Sequence, residues 1–357
     1  MIKYSIKLNV FSAGLLILCL NLFAQENISG SVGYFTVEVN AGADRRMGIP
    51  FAKPTTHVGK VETIAVDTIL VASSSSVPDV VTDAHYIMFT SGTLLGKWYQ
   101  VVAYSNSSLT VSEDLQAAGL TAGDSFKVAP FWTLDTLFPD GGSIPQSSDV
   151  FTPEAFVLLN DPTQVGTNLA ANRVYFYHDG SQGPAGWYDN DNLGGGLAGS
   201  TPLPPGAYLT VRNGTEAPIA VAGYGYVPTH AVASEILSRS IGSQDNQVAN
   251  PYPAGMTLQA SRLFEDGVIR GSPDVFAPVD FLLIYEGIPS GFNPAASKVV
   301  FYYTGSLGPN GWYDNDNLGG GLIDDYEIEP GAALIIRKQS GEDVLVSWSP
   351  PVPASLQ

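Results

Sequence analysis

Residues 186–197 read GWYDNDNLGGGL, and residues 311–322 read GWYDNDNLGGGL again. The repetition extends outward from this dodecapeptide. Asp149–Gly214 aligns with Asp274–Gln339 at a constant offset of 125 positions without a gap, and 34 of the 66 pairs are identical. DVFTPEAFVLL at 149–159 matches DVFAPVDFLLI at 274–284, and PGAYLTVR at 205–212 matches PGAALIIR at 330–337. Half identity without a gap implies one fold used twice, because each copy meets the same packing demands.

The repeated unit reads as β structure. Runs such as Val174–Tyr177, Tyr208–Arg212, Val299–Tyr303 and Ala333–Arg337 are β-branched and aromatic, and Gly, Pro, Asn and Asp bound them. The 38 Gly and 25 Pro with only 14% charged residues favour turns over helices, and no long stretch repeats every 3.6 residues. Tyr34–Val39, Tyr86–Phe89, Trp98–Tyr104, Ser108–Val111 and Phe126–Val128 supply further strands.

Upstream the copies differ in length. Asp44 stands before RRMGIPF as Asp245 stands before NQVANPY, yet about 77 additional residues follow in the first copy. An insertion into a surface loop explains this at small cost in loop entropy. The expected architecture is all-β: two tandem, related β-sandwich-like modules, the first interrupted by a small inserted β-barrel-like domain. Module A takes 25–54 and 131–226, the insert 55–130, and module B 227–357. Within the insert, VETIAVDTILVAS at 61–73 reads as a hairpin, and Trp98–Tyr104 reads as one strand turning through Ser105–Ser108 into Leu109–Val111.

Residues 1–24 read as a secretory signal peptide. Lys3 and Lys7 precede the short apolar run Val10–Leu22, and Ala24 precedes Gln25 at the cut. The run is too short for a stable span, and no second one follows, so no transmembrane span is expected in the mature chain. The only cysteine, Cys19, leaves with the leader, which excludes disulfides and thiol chemistry. Losing two Lys and no acid takes the net charge from −18 to −20, which repels nucleic acid. An exported protein, extracellular or in the cell envelope, is expected.

Four features together carry a resemblance. They are the DxRxGxPF start at Asp44–Phe51, the TSG…G…LTV stretch at Thr90–Val111, the WTL…LF segment around Trp132–Phe138, and the GWY…PG…R hairpins. In these the chain resembles a family of exported proteins from Verrucomicrobia-type bacteria. The resemblance covers most of the mature chain. It implies export and this architecture, and it brings no activity, cofactor or partner.

The repeated dodecapeptide is the candidate site. Asp189 and Asp191, like Asp314 and Asp316, offer oxygen ligands two residues apart before a glycine run, a pattern that can wrap Ca2+. The same residues are equally the chemistry of a tight turn, since Asp and Asn cap turns and Gly supplies positive φ. Trp187, Tyr188, Trp312 and Tyr313 open the loops. Neighbours on a strand face opposite ways, so one ring of each pair is expected in the core, and the other is free to stack on a glycan. Arg212 and Arg337 follow the PGA strands at matching positions, and a fork contact with Asp189 or Asp314 is expected. The four histidines are scattered, and His178 becomes Tyr303 in the second copy. No HExxH, GxSxG or phosphate loop occurs. The first functional reading is a non-enzymatic exported structural or adhesive surface protein, with Ca2+ a candidate stabiliser. The alternative is an extracellular glycan-binding module. The third is a glycan-active enzyme using Asp189 and Asp191 as paired carboxylates.

Overall fold

The fold is all-β, with several antiparallel sheets and short helical turns. The computed structural model describes residues 30–71, 82, 84–105 and 107–357, so the expected signal peptide lies outside the described residues. The chain opens with β1 (Val32–Val39) and β2 (Ala43–Gly48). The insert supplies β3 (His57–Ala65), β4 (Thr68–Val71), β5 (His85–Phe89), β6 (Trp98–Gln100), β7 (Ala103–Ser105), β8 (Ser108–Thr110) and β9 (Ser125–Pro130). The first repeat continues with β10 (Trp132–Thr133), the single-turn α1 (Leu134–Leu137), β11 (Ala155–Leu159), β12 (Arg173–His178), β13 (Gly186–Asp189), β14 (Pro202–Leu203), β15 (Tyr208–Asn213) and β16 (Ile219–Tyr226). The second repeat holds β17 (Ser234–Ser238), β18 (Gln244–Ala249), β19 (Met256–Thr257), β20 (Asp280–Tyr285), β21 (Lys298–Tyr303), β22 (Gly311–Asp314), β23 (Glu327–Ile328), β24 (Ala333–Lys338) and β25 (Val344–Trp348).

Every sheet of the first repeat has a counterpart in the second. The five-stranded order β13-β12-β11-β15-β2 matches β22-β21-β20-β24-β18. The ribbon β1–β16 matches β17–β25, and the short pair β10–β14 matches β19–β23. In each repeat the large sheet packs one face on a core capped by the two smaller pairs. Val157, Val211, Trp187 and Val221 lie in the first core, and Leu282, Ile336, Trp312 and Trp348 in the second. Alternation along each strand divides the residues between this core and the outer face.

The insert is one seven-stranded ladder, β6-β5-β9-β3-β4-β8-β7, with its own core around Ile87, Leu109, Phe126 and Val128. Hydrogen bonds do not close it. The expected strand Trp98–Tyr104 is in fact broken into β6 and β7, which form the two opposite edges of the ladder. Val101 donates to His85 O (3.0 Å) on β5, and Val102 donates to Thr110 O (2.9 Å) on β8. The strand thus crosses from one edge to the other within a single peptide. Two linking residues hold the edges within about 10 Å, so the sheet must curl. The expected 61–73 hairpin forms as β3–β4 through Val71, turning at Val66, whose φ is 56°; residues 72 and 73 lie outside the described residues.

Candidate functional site

The two repeated loops adopt one geometry. In the first, Asp189 Oδ1 accepts the Asp191 amide (2.9 Å), Asn192 N donates to Asp189 O (3.1 Å), and Gly195 N donates to Asn192 O (2.9 Å). In the second the matching distances are 3.0, 3.2 and 3.0 Å for Asp314 with Asp316, Asn317 with Asp314, and Gly320 with Asn317. Gly196 and Gly321 then take φ of 85° and 82°, a conformation that disfavours a side chain. The chain returns to pair Leu197 with Tyr188 and Leu322 with Tyr313. One carboxylate oxygen of Asp189 and of Asp314 is therefore spent on an Asx turn. The other oxygen of Asp314 pairs with Lys298 Nζ at 2.6 Å, and these groups hold its carboxyl below the usual range despite the opposing effect of burial. Among the described residues, no group of three or more His, Cys, Asp or Glu is placed to hold a metal ion.

The rings do not divide as expected. Trp187 and Trp312 lie in the two cores, and Tyr188 and Tyr313 are buried on the opposite face. Tyr188 stacks on Phe176 at 5.9 Å and donates its hydroxyl to Pro184 O (3.0 Å). Tyr313 sits among Phe301, Tyr303 and Leu318 and donates to Pro309 O (2.9 Å). Each tyrosine is roofed by its own hairpin loop, so none of the four rings offers a face to a sugar. The loops themselves are exposed.

The expected fork contact with Asp189 or Asp314 is also corrected. Arg212 lies on β15 and Asp189 on β13, with β11 and β12 between, about 14 Å across at the usual strand spacing. Arg212 instead grips Asp44 on the neighbouring β2 through two bonds of 2.8 Å. Arg337 grips Asp245 on β18 at 2.7 and 2.8 Å. These charge-assisted bonds raise both arginine pKa values against the lowering effect of burial.

The forks mark a seam that sequence reasoning missed. β2 and β18 are the edge strands at which the two repeats meet, and the contacts there are reciprocal. Asp44 N donates to Gly291 O (3.0 Å) and Asp245 N to Gly166 O (2.8 Å). Gly48 N donates to Gly331 O and Ala249 N to Gly206 O, both at 2.8 Å. Asn293 N donates to Asp44 Oδ2 (2.8 Å), and Asn168 N donates to Asp245 Oδ2 (2.7 Å). Asn168 and Asn293 occupy matching positions, and both have positive φ, of 53° and 49°. Each repeat thus sends its β11–β12 or β20–β21 loop across to the Arg–Asp fork of the other. The arrangement is that of a self-complementary twofold dimer joined in one chain. The sequence did carry a signal, because Asp44, Asp245, Gly166, Gly291, Asn168 and Asn293 recur at matching positions.

The reciprocity is not complete, and at one place it fails in charge. Beyond the edge of β2 lies a cleft of about 370 Å3 lined by Arg45, Arg46, Tyr285, Glu286, Ser290 and Ser297, among others. The residues that match Arg45 and Arg46 in β18 are Asn246 and Gln247.

Family models, curated proteins and solved structures offer no match to this chain. Among the described residues, no helix is long and apolar enough to cross a membrane.

Proposed function

We propose that the protein is an exported, non-enzymatic structural or adhesive component of the cell surface. The observation that carries this reading is a repeated exposed phenylalanine. Phe151 and Phe276 occupy matching positions in the two repeats and are 79% and 80% exposed. Each is held in place locally: its amide donates to the carboxylate two residues before it, Asp149 at 2.8 Å and Asp274 at 2.9 Å. Neither ring serves the core, so the fold does not account for their identity. Burying one such ring against a partner contributes about 1.5–3 kcal/mol. Two rings on one rigid body add through linkage. The leader-like residues 1–24 and the low content of charged side chains support export to a surface. The turn in which Asp189 accepts the Asp191 amide argues against use of these two residues as paired carboxylates.

The test is sedimentation of the purified protein with envelopes of the producing cell. The wild type should co-sediment, each of Phe151→Ser and Phe276→Ser should bind less, and the double variant should remain in the supernatant. Undiminished sedimentation of the double variant would sink the proposal. So would polysaccharide hydrolysis by the purified chain that disappears in Asp189→Ala.

A further inference from the structure

At the cleft beside β2 the twofold pairing of the repeats breaks down in charge. At the matching site, Asn246 is satisfied by its own repeat. Its amide donates to Leu237 O (3.0 Å) and Ile336 O (3.1 Å), and its carbonyl accepts the Leu237 amide (2.7 Å). That scaffold therefore closes without an arginine. Arg45 replaces this neutral arrangement with a largely buried guanidinium, whose Nε and Nη1 are enclosed without a partner and whose Nη2 is not among the enclosed atoms. Its nearest carboxylate oxygen is Glu329 Oε2, at 4.0 Å from Nη2. Burial lowers the pKa of Arg45 more than Glu329 and Glu286 raise it, so the acids present do not replace the lost hydration.

Arg46 stands beside it. Its guanidinium lies 4.1 Å from the centre of the Tyr285 ring, and Nη1 donates to Pro294 O (3.2 Å). Adjacent residues of one strand face opposite ways, yet both arginines line the cleft because β2 is an edge strand and the cleft lies beyond that edge. Glu286 is already committed. Tyr326 donates its hydroxyl to one oxygen, Glu329 N donates to the other (3.2 Å), and burial raises the carboxyl pKa. Ser297 donates to Ile284 O (2.8 Å), and beside Ser290 the cleft wall is apolar at Ile288, Pro289 and Ala295. The volume falls in the range of small-molecule sites, which combine apolar walls with a few placed polar groups.

We propose that this cleft binds a small organic carboxylate, held by the guanidinium of Arg46, with the charge of Arg45 and its Nη2 beside it. A planar carboxylate matches the fork of a guanidinium. A phosphate dianion fits less well, because Glu329 and Glu286 border the site and repel a second negative charge. The assignment stands apart from surface adhesion, which rests on Phe151 and Phe276.

The duplication supplies the control. Arg45→Asn with Arg46→Gln installs the residues that the second repeat carries at the same backbone positions, so the variant should fold. Isothermal titration of the full chain would use sodium galacturonate and sodium glutamate, with inorganic phosphate as the comparison anion. Saturable binding of at least one carboxylate is expected, weakened about tenfold or more in the double variant and in Arg46→Gln alone. The melting temperature without ligand should match the wild type. Three results would overturn the proposal: no saturable heat from either carboxylate at about 10 mM, unchanged affinity in both variants, or phosphate binding as tightly as the carboxylates.

Discussion

Gly48 and Ala249 are matching residues of β2 and β18, and they meet where the two repeats touch. A Cβ added to Gly48 would lie 2.3 Å from Ala249 Cβ and 3.3 Å from Gly331 O. Apolar carbons rest at about 3.5–4.0 Å, so Gly48→Ala must push the edges apart by about 1.5 Å. Two cross-repeat bonds lie beside this contact, Gly48 N to Gly331 O and Ala249 N to Gly206 O, both 2.8 Å. Overpacking of this kind costs about 1–3 kcal/mol, and weakening one of the bonds adds about 1 kcal/mol. A loss of about 3 kcal/mol lowers the melting temperature by roughly 4–5 °C in a chain of this size. Ala249→Gly alone should cost about 1 kcal/mol, mainly through backbone freedom. The exchange Gly48→Ala/Ala249→Gly carries the methyl across the axis and should recover most of the loss, a coupling of about 3 kcal/mol. Thermal and urea unfolding of the four proteins measures this cycle. Strictly additive costs, or a Gly48→Ala protein as stable as the wild type, would refute the seam as described.

Two further outcomes follow from the ion pairs. Asp280 is fully buried between Arg270 and Lys338; burial alone would raise its pKa, but the bonds and charge of these two residues hold it below the ordinary 3.8. A depressed carboxyl stabilises the fold above its unfolded pKa, and that contribution disappears as pH falls through the folded value. Asp280→Asn should therefore cost about 3–5 kcal/mol at neutral pH, with the gap from the wild type narrowing below 3.8 in acid unfolding; a pH-independent gap would contradict this. At the repeated loops, Asp314→Ala should destabilise by about 1–2 kcal/mol more than Asp189→Ala, because it also strips Lys298 of a charged partner. Millimolar Ca2+ should leave the wild-type melting curve in place, and a rise above about 2 °C that is lost in the two variants would restore the cation reading.

The legible features were those that repeat or alternate. Strands such as Val299–Tyr303 and the 61–73 hairpin follow from side-chain period and turn chemistry, which are local. The burial of Tyr188 and Tyr313 was not legible. Alternation assigns a ring to the outer face, but the cover comes from the hairpin loops that carry Pro184 and Pro309, joined over Tyr313 by Leu318. The partners of Arg212 and Arg337 were hidden for a similar reason: sequence equivalence identifies a shared role without saying which strand lies alongside. The break in Trp98–Tyr104 also escaped, because only the curl of the finished ladder requires one strand to serve both edges.

The amino-acid order by itself determined that the chain is β-rich, that one unit occurs twice, and that an insertion separates the start of the first copy from the rest. These conclusions need only composition, period and self-comparison. Tertiary structure alone decided that the copies face each other across β2 and β18, exchanging loops onto the Arg–Asp forks, and that Arg45 lies largely buried and underpartnered at the wall of a cleft. Such facts depend on pairs as distant as Asp44 and Asn293, and no local pattern encodes which distant groups share a desolvated space.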